Sequence, residues 1–581
     1  MTDTAAAPSA DTPAPAPAPV PVPEHPHPPT LIAPVPAVPG KQQWGRVLIC
    51  GGTNWLSLGK KGLPADPLSP DLPAPHTLRS LSNVKATGVY TSHSGCHAIV
   101  IDVSGAAYLF GRNSSSSLGL PASQHPSVSG QTPRRLLPTS LGAPQGTKFT
   151  HAACGRNHSV LVGDDGSVWT AGVNAHGQCG HPAGGEVGAF KLIQGGWARG
   201  KLREKAVFAS AGVTFTLVLT ESGRVYAFGS GEHGQLGNGR TGERIAQANK
   251  TTYDIEDEPI LVKGPLDGKK VVQIACGQQH AIALTMDGLC YVWGFNGYCR
   301  LGLGHQKDVL TPTLVPQFAG ANEMTRGAFV AAGPTATIVI DRQRMLLMAG
   351  KFKTSGAGSV GQPFTTFRYF AEIQGCKMLL AAAGGVTHFA TAEDDDSPTG
   401  AAGIMTIAWG QNAINSELGL GEGQPKSTPK PVRVETLNGV DVIGLAAGQN
   451  TSFFLARPNE ALAELPRFPE AVPAPNLCVV CDEDREASGE EALECEKCDT
   501  PYHLGCLDPP LQAIPEGQWF CPKCEKEFAE VPVVVVGLAA KKGVGKEGKE
   551  EGEPKKRGRP AKRKAEDNDE PEAKKVKVAK K

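Results

Sequence analysis

Two short patterns recur along residues 44–457 at a period of roughly 60 residues, and this repetition constrains the fold more than any local feature. One half-unit is an apolar strand, a Gly-x-x-His-like turn and a second apolar strand, as in HAACGRNHSVLV (151–162) and QIACGQQHAIAL (273–284). The other is a strand ending in an aromatic or small residue plus glycine, followed by a loop that closes on Leu-Gly, as in VYAFGSGEHGQLG (225–237) and CYVWGFNGYCRLG (290–302). The first half, intact or degenerate, occurs seven times, beginning at Ser94, Gly155, Gly212, Gly277, Gly333, Gly385 and Gly448. The second also occurs seven times, at Gly52, Gly111, Gly172, Gly229, Gly294, Gly350 and Gly410.

The counts match but the phases differ. WGRVLICGGTNW (44–55) is a second half with no first half before it, and VIGLAAGQNTSFFLA (442–456) is a first half followed by a Pro-rich stretch. If the chain closes into a ring these two fragments share a blade, every blade gains four strands, and no open edge remains. The 70 glycines and 48 prolines agree with many short strands and turns and argue against long helices. The turn glycines are expected to supply positive φ, and His158, His280 and His388 to fix blade turns by hydrogen bonding.

On these residues the region 44–457 resembles the regulator of chromosome condensation family of seven-bladed propellers. RVLICGGTNW, ACGRNH, VWGFNGYCRLG followed by HQKD, and ELGLGEGQPKS are most similar to its telophase-disc, centromere-associated branch. The resemblance implies a ring whose loop faces dock a partner such as a small GTPase or a nucleosome surface. The Ran exchange factor of the family would imply an acidic residue after the second turn glycine and a histidine in the fifth turn. Here those positions hold Arg156 and the run Gly333-Pro334-Thr335-Ala336, so no catalytic residue is assigned. Guanine nucleotide exchange on a small GTPase stays as the alternative function, with a non-enzymatic role preferred. The connections at 112–148, 183–205 and 238–270 are candidate docking loops, and EDDDSPTG (393–400) is expected to be a solvated hairpin excursion.

Cysteine usage separates a second module. Eight of the fifteen cysteines are scattered over residues 50–376 and read as buried free thiols, whereas seven crowd into 478–524. There the order is CVVC, thirteen residues, CEKC, four residues, HLGC, fourteen residues and CPKC. Four close pairs supply eight ligands, tetrahedral zinc takes four, and two closed structural Zn2+ sites follow. So small a module depends on the metal for its folding free energy, of order 10 kcal/mol.

Four cysteines, one histidine and three cysteines, with Trp519 two positions before Cys521, resemble a PHD finger. A RING finger has three cysteines before the histidine and lacks the Trp-x-Cys ending. The PHD resemblance implies interleaved ligands, with Cys478, Cys481, His503 and Cys506 on the first zinc and Cys495, Cys498, Cys521 and Cys524 on the second. It also implies a histone H3 tail added as a strand. The position where readers of trimethyl-lysine carry a tryptophan is Pro501, and the stretch after Cys481 is acidic instead, with Asp482, Glu483, Asp484, Glu491 and Glu494. Carboxylates suit an unmethylated lysine or arginine that donates hydrogen bonds, so the expected ligand is the unmodified H3 tail.

Residues 541–581 hold 16 Lys+Arg against 9 Asp+Glu, leaving 41 against 48 on the remainder, so a basic tail hangs on an acidic body. Within KKRGRPAKRK (555–564), Arg557, Gly558, Arg559 and Pro560 resemble an AT-hook, which would lay its arginines in the narrow minor groove of A·T-rich DNA. The same run and KKVKVAKK (574–581) also read as nuclear-import signals. Neither a membrane span nor a secretory signal is indicated.

The expected organisation is mainly β. It comprises a disordered Pro/Ala-rich leader (1–43), a seven-bladed propeller closed by N-terminal strands (44–457), a linker (458–474), a cross-brace two-zinc finger (475–527) and a disordered basic tail (528–581). The expected function is a nuclear, chromatin-associated adaptor: the finger binds the H3 tail, the tail contacts DNA, and the propeller docks a protein partner.

Overall fold

Each repeat becomes one antiparallel sheet because its two apolar half-units pair across the turn that joins them. In the computed structural model, which describes residues 43–58, 66–198, 204–246, 249–394, 403–485, 489 and 492–527, seven such sheets stand as blades around an axis. In the second blade the order is Phe149–Cys154, His158–Gly163, Val168–Val173 and Glu186–Leu192, and the third, fourth, fifth and sixth repeat this arrangement. No helix among the described residues is long and apolar enough to cross a membrane.

The closing blade is built from both ends of the repeat region. Its order is Val442–Ala447, Thr451–Ala456, Arg46–Gly51 and Leu72–Leu78, with Arg467–Phe468 added in parallel outside. The join is continuous, from Arg46 opposite Ala456 to Gly51 opposite Thr451. Alternation along that strand sends its side chains into two different cores. Val47 and Ile49 pack with Phe110 and Tyr108 of the first blade, whereas Leu48 and Cys50 pack with Phe389 and Ala408 of the sixth. The N-terminal strand thus fastens the ring on both flanks.

The turn glycines do not have the positive φ expected of them. Gly155 lies outside that region; it is required because a Cβ there would drive into the His158 ring and sit 2.8 Å from the carbonyl oxygen of Gly212 in the next blade. Positive φ belongs instead to five of the other repeated glycines, Gly111, Gly172, Gly229, Gly294 and Gly350, but not to Gly52 or Gly410. Gly172 has φ +117 and marks the bulge where the third strand of its blade shifts register against the fourth.

The histidines act between blades. His158 Nε2 meets Thr216 Oγ1 of the next blade at 2.9 Å and His280 Nε2 meets Thr337 Oγ1 at 3.0 Å. His97 does the same with Ser159 Oγ at 3.0 Å. His388 does not share this role. The sixth turn closes through Gly384 N–H to the Thr387 carbonyl at 2.7 Å, so Thr387 occupies the histidine position and the turn begins one residue before Gly385. His388 stacks instead on Trp409, with ring centroids 5.4 Å apart.

All three long connections contain outer strands, the first of them as two short pieces, Ser127–Val128 and Arg134–Leu136, that pair with Ala107–Arg112 in the first blade. Glu186–Leu192 and Ile255–Leu261 are the outer strands of the second and third blades. Phe190 alone of Glu186–Leu192 is fully buried, which explains why apolar alternation does not reveal the strand. The acidic stretch at 393 also begins inside a strand: Asp394 ends Thr387–Asp394 and pairs with Arg433 at 2.6 Å.

Candidate metal centre and partner-facing surfaces

The finger has almost no secondary structure of its own. Leu493–Glu494 pairs with Pro501–Tyr502, a short helix covers Pro522–Lys526, and a small core gathers Phe520, Tyr502 and Trp519. Trp519 meets Tyr502 edge-on at 5.7 Å, as a packing residue does. What organises the module is the pair of ligand clusters.

Cys478, Cys481, His503 and Cys506 form one cluster and Cys495, Cys498, Cys521 and Cys524 the other, with the ligand atoms of each within 4.8 Å of one another. Tetrahedral zinc with bonds of about 2.3 Å to sulfur places two thiolates about 3.8 Å apart. Cys498 Sγ and Cys521 Sγ are separated by 3.8 Å. At the first cluster His503 turns its Nδ1 toward the sulfurs, 3.3 Å from Cys481 Sγ and 3.9 Å from Cys506 Sγ. Backbone N–H groups of His503 and Cys521 point at Cys478 Sγ and Cys495 Sγ at 3.5 and 3.3 Å, an arrangement that favours thiolate. The donor sets fit two zinc ions, and the ligands interleave along the chain, so each site ties together segments the other does not.

The acidic residues fall in two places. Asp482, Glu483 and Asp484 follow the first knuckle, and Glu494 lies exposed on the strand Leu493–Glu494. Glu483 is engaged by Arg485 at 3.0 Å, a partner that the sequence pattern does not indicate. Glu491 lies outside the described residues, as do Arg557, Gly558, Arg559 and Pro560. Among the described residues, Leu493–Glu494 pairs on one edge only, in a two-stranded sheet.

On the propeller, the turns holding Arg156 and Ala336 lie in the second and fifth blades in chain order, closed by Gly155 N–H to the His158 carbonyl at 2.8 Å and Gly333 N–H to the Ala336 carbonyl at 2.9 Å. Arg156 is exposed, and the fifth turn has no histidine. One mouth of the axial channel is a cavity lined by Tyr90, His151, Phe208 and Gln273. His151 is packed between Tyr90 and Phe208 at 4.8 and 3.8 Å, and burial pushes its imidazole down to about 3, so it is neutral at physiological pH.

Sequence reasoning missed a group of residues where the finger meets the closing blade. Arg46 Nη1 donates to the Val84 carbonyl at 3.0 Å and Nε to Gln518 Oε1 at 3.2 Å, while the guanidinium lies 5.0 Å from the Phe520 ring centre. Burial lowers it to about 10, which leaves it charged. Asn83 Nδ2 donates to the Cys524 carbonyl at 2.6 Å, and Arg79 forms an ion pair with Asp499. One signal was available: an arginine directly before the apolar run VLIC is a cation that the fold must bury and therefore satisfy.

Comparison with known proteins agrees with both modules. The family model of the RCC1-like domain matches residues 46–454, and that of the PHD-finger matches residues 478–524. Protein RCC2 of Mus musculus is 30% identical over 458 residues, covering 75% of this chain and 81% of that protein. Protein RCC2 homolog of Xenopus laevis is 29% identical over 74% of this chain and 82% of its own length. Among solved structures, human WBSCR16 aligns with a TM-score of 0.55 at 20% identity, over 71% of this chain and 99% of that one. Saccharomyces cerevisiae Prp20p, described with its binding to Gsp1p and histones, aligns at 0.54 and 18% identity over 72% of this chain and 93% of its own. These two likenesses are to the fold alone.

Proposed function

Because the chain belongs to the RCC1-like domain family and carries a PHD finger, we propose that it is a nuclear, chromatin-associated adaptor. The propeller over 44–457 docks a protein partner and the finger over 475–527 takes the unmodified N-terminal tail of histone H3. The eight ligands hold two zinc ions that shape the finger, and the basic tail adds weak contacts to A·T-rich DNA through Arg557 and Arg559. The observation that carries this reading is that, among the described residues, Leu493–Glu494 pairs on one edge only, with Glu494 exposed on that strand and Asp482 and Asp484 exposed after the first knuckle of the same module. An extended peptide adds to such an edge through its backbone, and carboxylates favour lysine or arginine groups that still have N–H to donate.

Exchange on a small GTPase is the weaker reading, because the turns that the resemblance to the Ran exchange factor singles out hold Arg156 and Ala336. Linking finger, tail and propeller in one chain raises avidity for a surface presenting all their partners.

The test uses the full chain with fluorescent H3 tail peptides, unmodified and trimethylated on lysine, alongside GTPases loaded with fluorescent nucleotide. Tighter binding of the unmodified peptide and no accelerated nucleotide release are expected. Preference for the trimethylated peptide, or clear exchange, contradicts the reading.

A further inference from the structure

The finger is not merely tethered to the propeller. Arg79, on the turn after the strand Leu72–Leu78, is buried and fully satisfied by groups beyond the repeats. Its Nε donates to the Pro469 carbonyl at 2.8 Å, one Nη to the Glu470 carbonyl, and the other to the Asp499 carboxylate. Asp499 directly follows Cys498 of the second ligand cluster and sits at φ +51, in the turn that closes the CEKC knuckle. Arg467 approaches the same knuckle, 3.1 Å from the Glu496 carboxylate and 3.5 Å from Asp499.

The same knuckle is fastened from further points. Lys497 Nζ donates to Asn83 Oδ1 at 3.2 Å, and Asn83 donates to the Cys524 carbonyl at 2.6 Å, so one asparagine holds both segments that supply the second cluster. The intervening chain joins in: Thr77 N–H donates to the Pro466 carbonyl at 2.8 Å, Arg467–Phe468 pairs in parallel with Thr77 and Leu78, and Phe468 enters the core shared by the closing and first blades. These propeller contacts fall on segments that supply the second cluster, and no ligand of the first cluster takes part in them.

We propose that the second zinc site is a metal-dependent latch, which docks the finger on the closing blade and braces the blade's outer strand. Zinc there holds the 495–499 knuckle in the one conformation that presents Asp499 to Arg79 and Arg467. Without the metal the knuckle loses its shape, a buried arginine loses its counter-charge, and the strand Arg467–Phe468 loses its anchor. The finger's metal state is thereby transmitted to the propeller's seam, and the finger's free edge is held at a fixed orientation to the ring. The latch does not depend on what ligand the finger takes.

Hydrogen exchange on the full chain, with and without a zinc chelator, tests it. Chelation is expected to speed exchange by about tenfold or more not only in the finger but also at 72–84 and 466–469, while the third blade at 215–230 is unchanged. Asp499→Asn, which keeps every zinc ligand, is expected to speed exchange at 72–84 and 466–469 with zinc still bound, and Glu483→Gln, near the first cluster, to leave it as it was. Unchanged exchange at 72–84 in Asp499→Asn, or after chelation, overturns the proposal, as does an equal effect from Glu483→Gln.

Discussion

Trp55 stacks on Phe453, with ring centroids 6.4 Å apart and planes 12° from parallel, although the two residues come from opposite ends of the repeat region. Both also meet Phe110 of the first blade edge-on, at 6.0 and 5.7 Å. Ring closure is therefore a matter of aromatic packing as well as strand pairing. Trp55→Ala is expected to lower stability by about 3–5 kcal/mol, read by chemical denaturation. A chain beginning at Gln42 should melt like the full protein, while one beginning after Trp55 should lose the cooperative transition of the whole ring.

The buried histidines of the blades make stability depend on acid. Burial holds His97 and His388 at about 4, His158 at about 3, and His280 well below its ordinary value. In the unfolded chain each takes a proton below pH 6.5, whereas in the fold it stays neutral. Stability is therefore fully present above that pH and falls as the solution is acidified toward pH 4. Between pH 7.5 and 5.5 each histidine costs about 1.4 kcal/mol, or about 5 kcal/mol for the four. Denaturant midpoints across this range measure it, and His158→Gln should reduce the slope.

Glu417 works in the opposite direction. It is buried in the closing loop of the sixth blade, and desolvation pushes its carboxyl up to about 7 from 4.5. The unfolded chain ionises it first, so stability is lost as pH rises from 4.5 through 7, by about 2–3 kcal/mol. Glu417→Gln is expected to remove this loss, so that the rise in midpoint from pH 5 to pH 8 set by the histidines becomes larger. An unchanged difference would mean that the buried carboxyl ionises freely.

Metal removal should unfold the finger. With a core of Phe520, Tyr502 and Trp519, the module depends on zinc for about 10 kcal/mol of folding free energy. Chelation is expected to make 478–524 protease-sensitive and release two zinc ions per chain. Retained resistance would show that the core suffices without metal.

Ring closure was legible in the sequence because matching counts in opposite phase admit one partner for WGRVLICGGTNW, and the pairing of Arg46 with Ala456 follows. The zinc ligands were legible because coordination demands close pairs at set spacings. The outer strands were not, since an edge strand such as Glu186–Leu192 buries one side chain fully and otherwise reads as loop. In the sixth turn two adjacent glycines left the phase open by one residue, and only the hydrogen bond from Gly384 settles it. The docking of the finger was illegible for a different reason. Arg46 and Gln518 are 472 positions apart, and no periodicity links residues that meet once.

The proposed histone binding rests on strand addition at Leu493–Glu494. The most direct measurement is hydrogen exchange at the backbone amides of residues 493–494 in the full chain, before and after saturation with unmodified histone H3 tail peptide. Slowed exchange there, and weaker protection with the trimethyl-lysine peptide at the same concentration, is the predicted result. Exchange that stays the same at 493–494 while the peptide is bound would contradict the account.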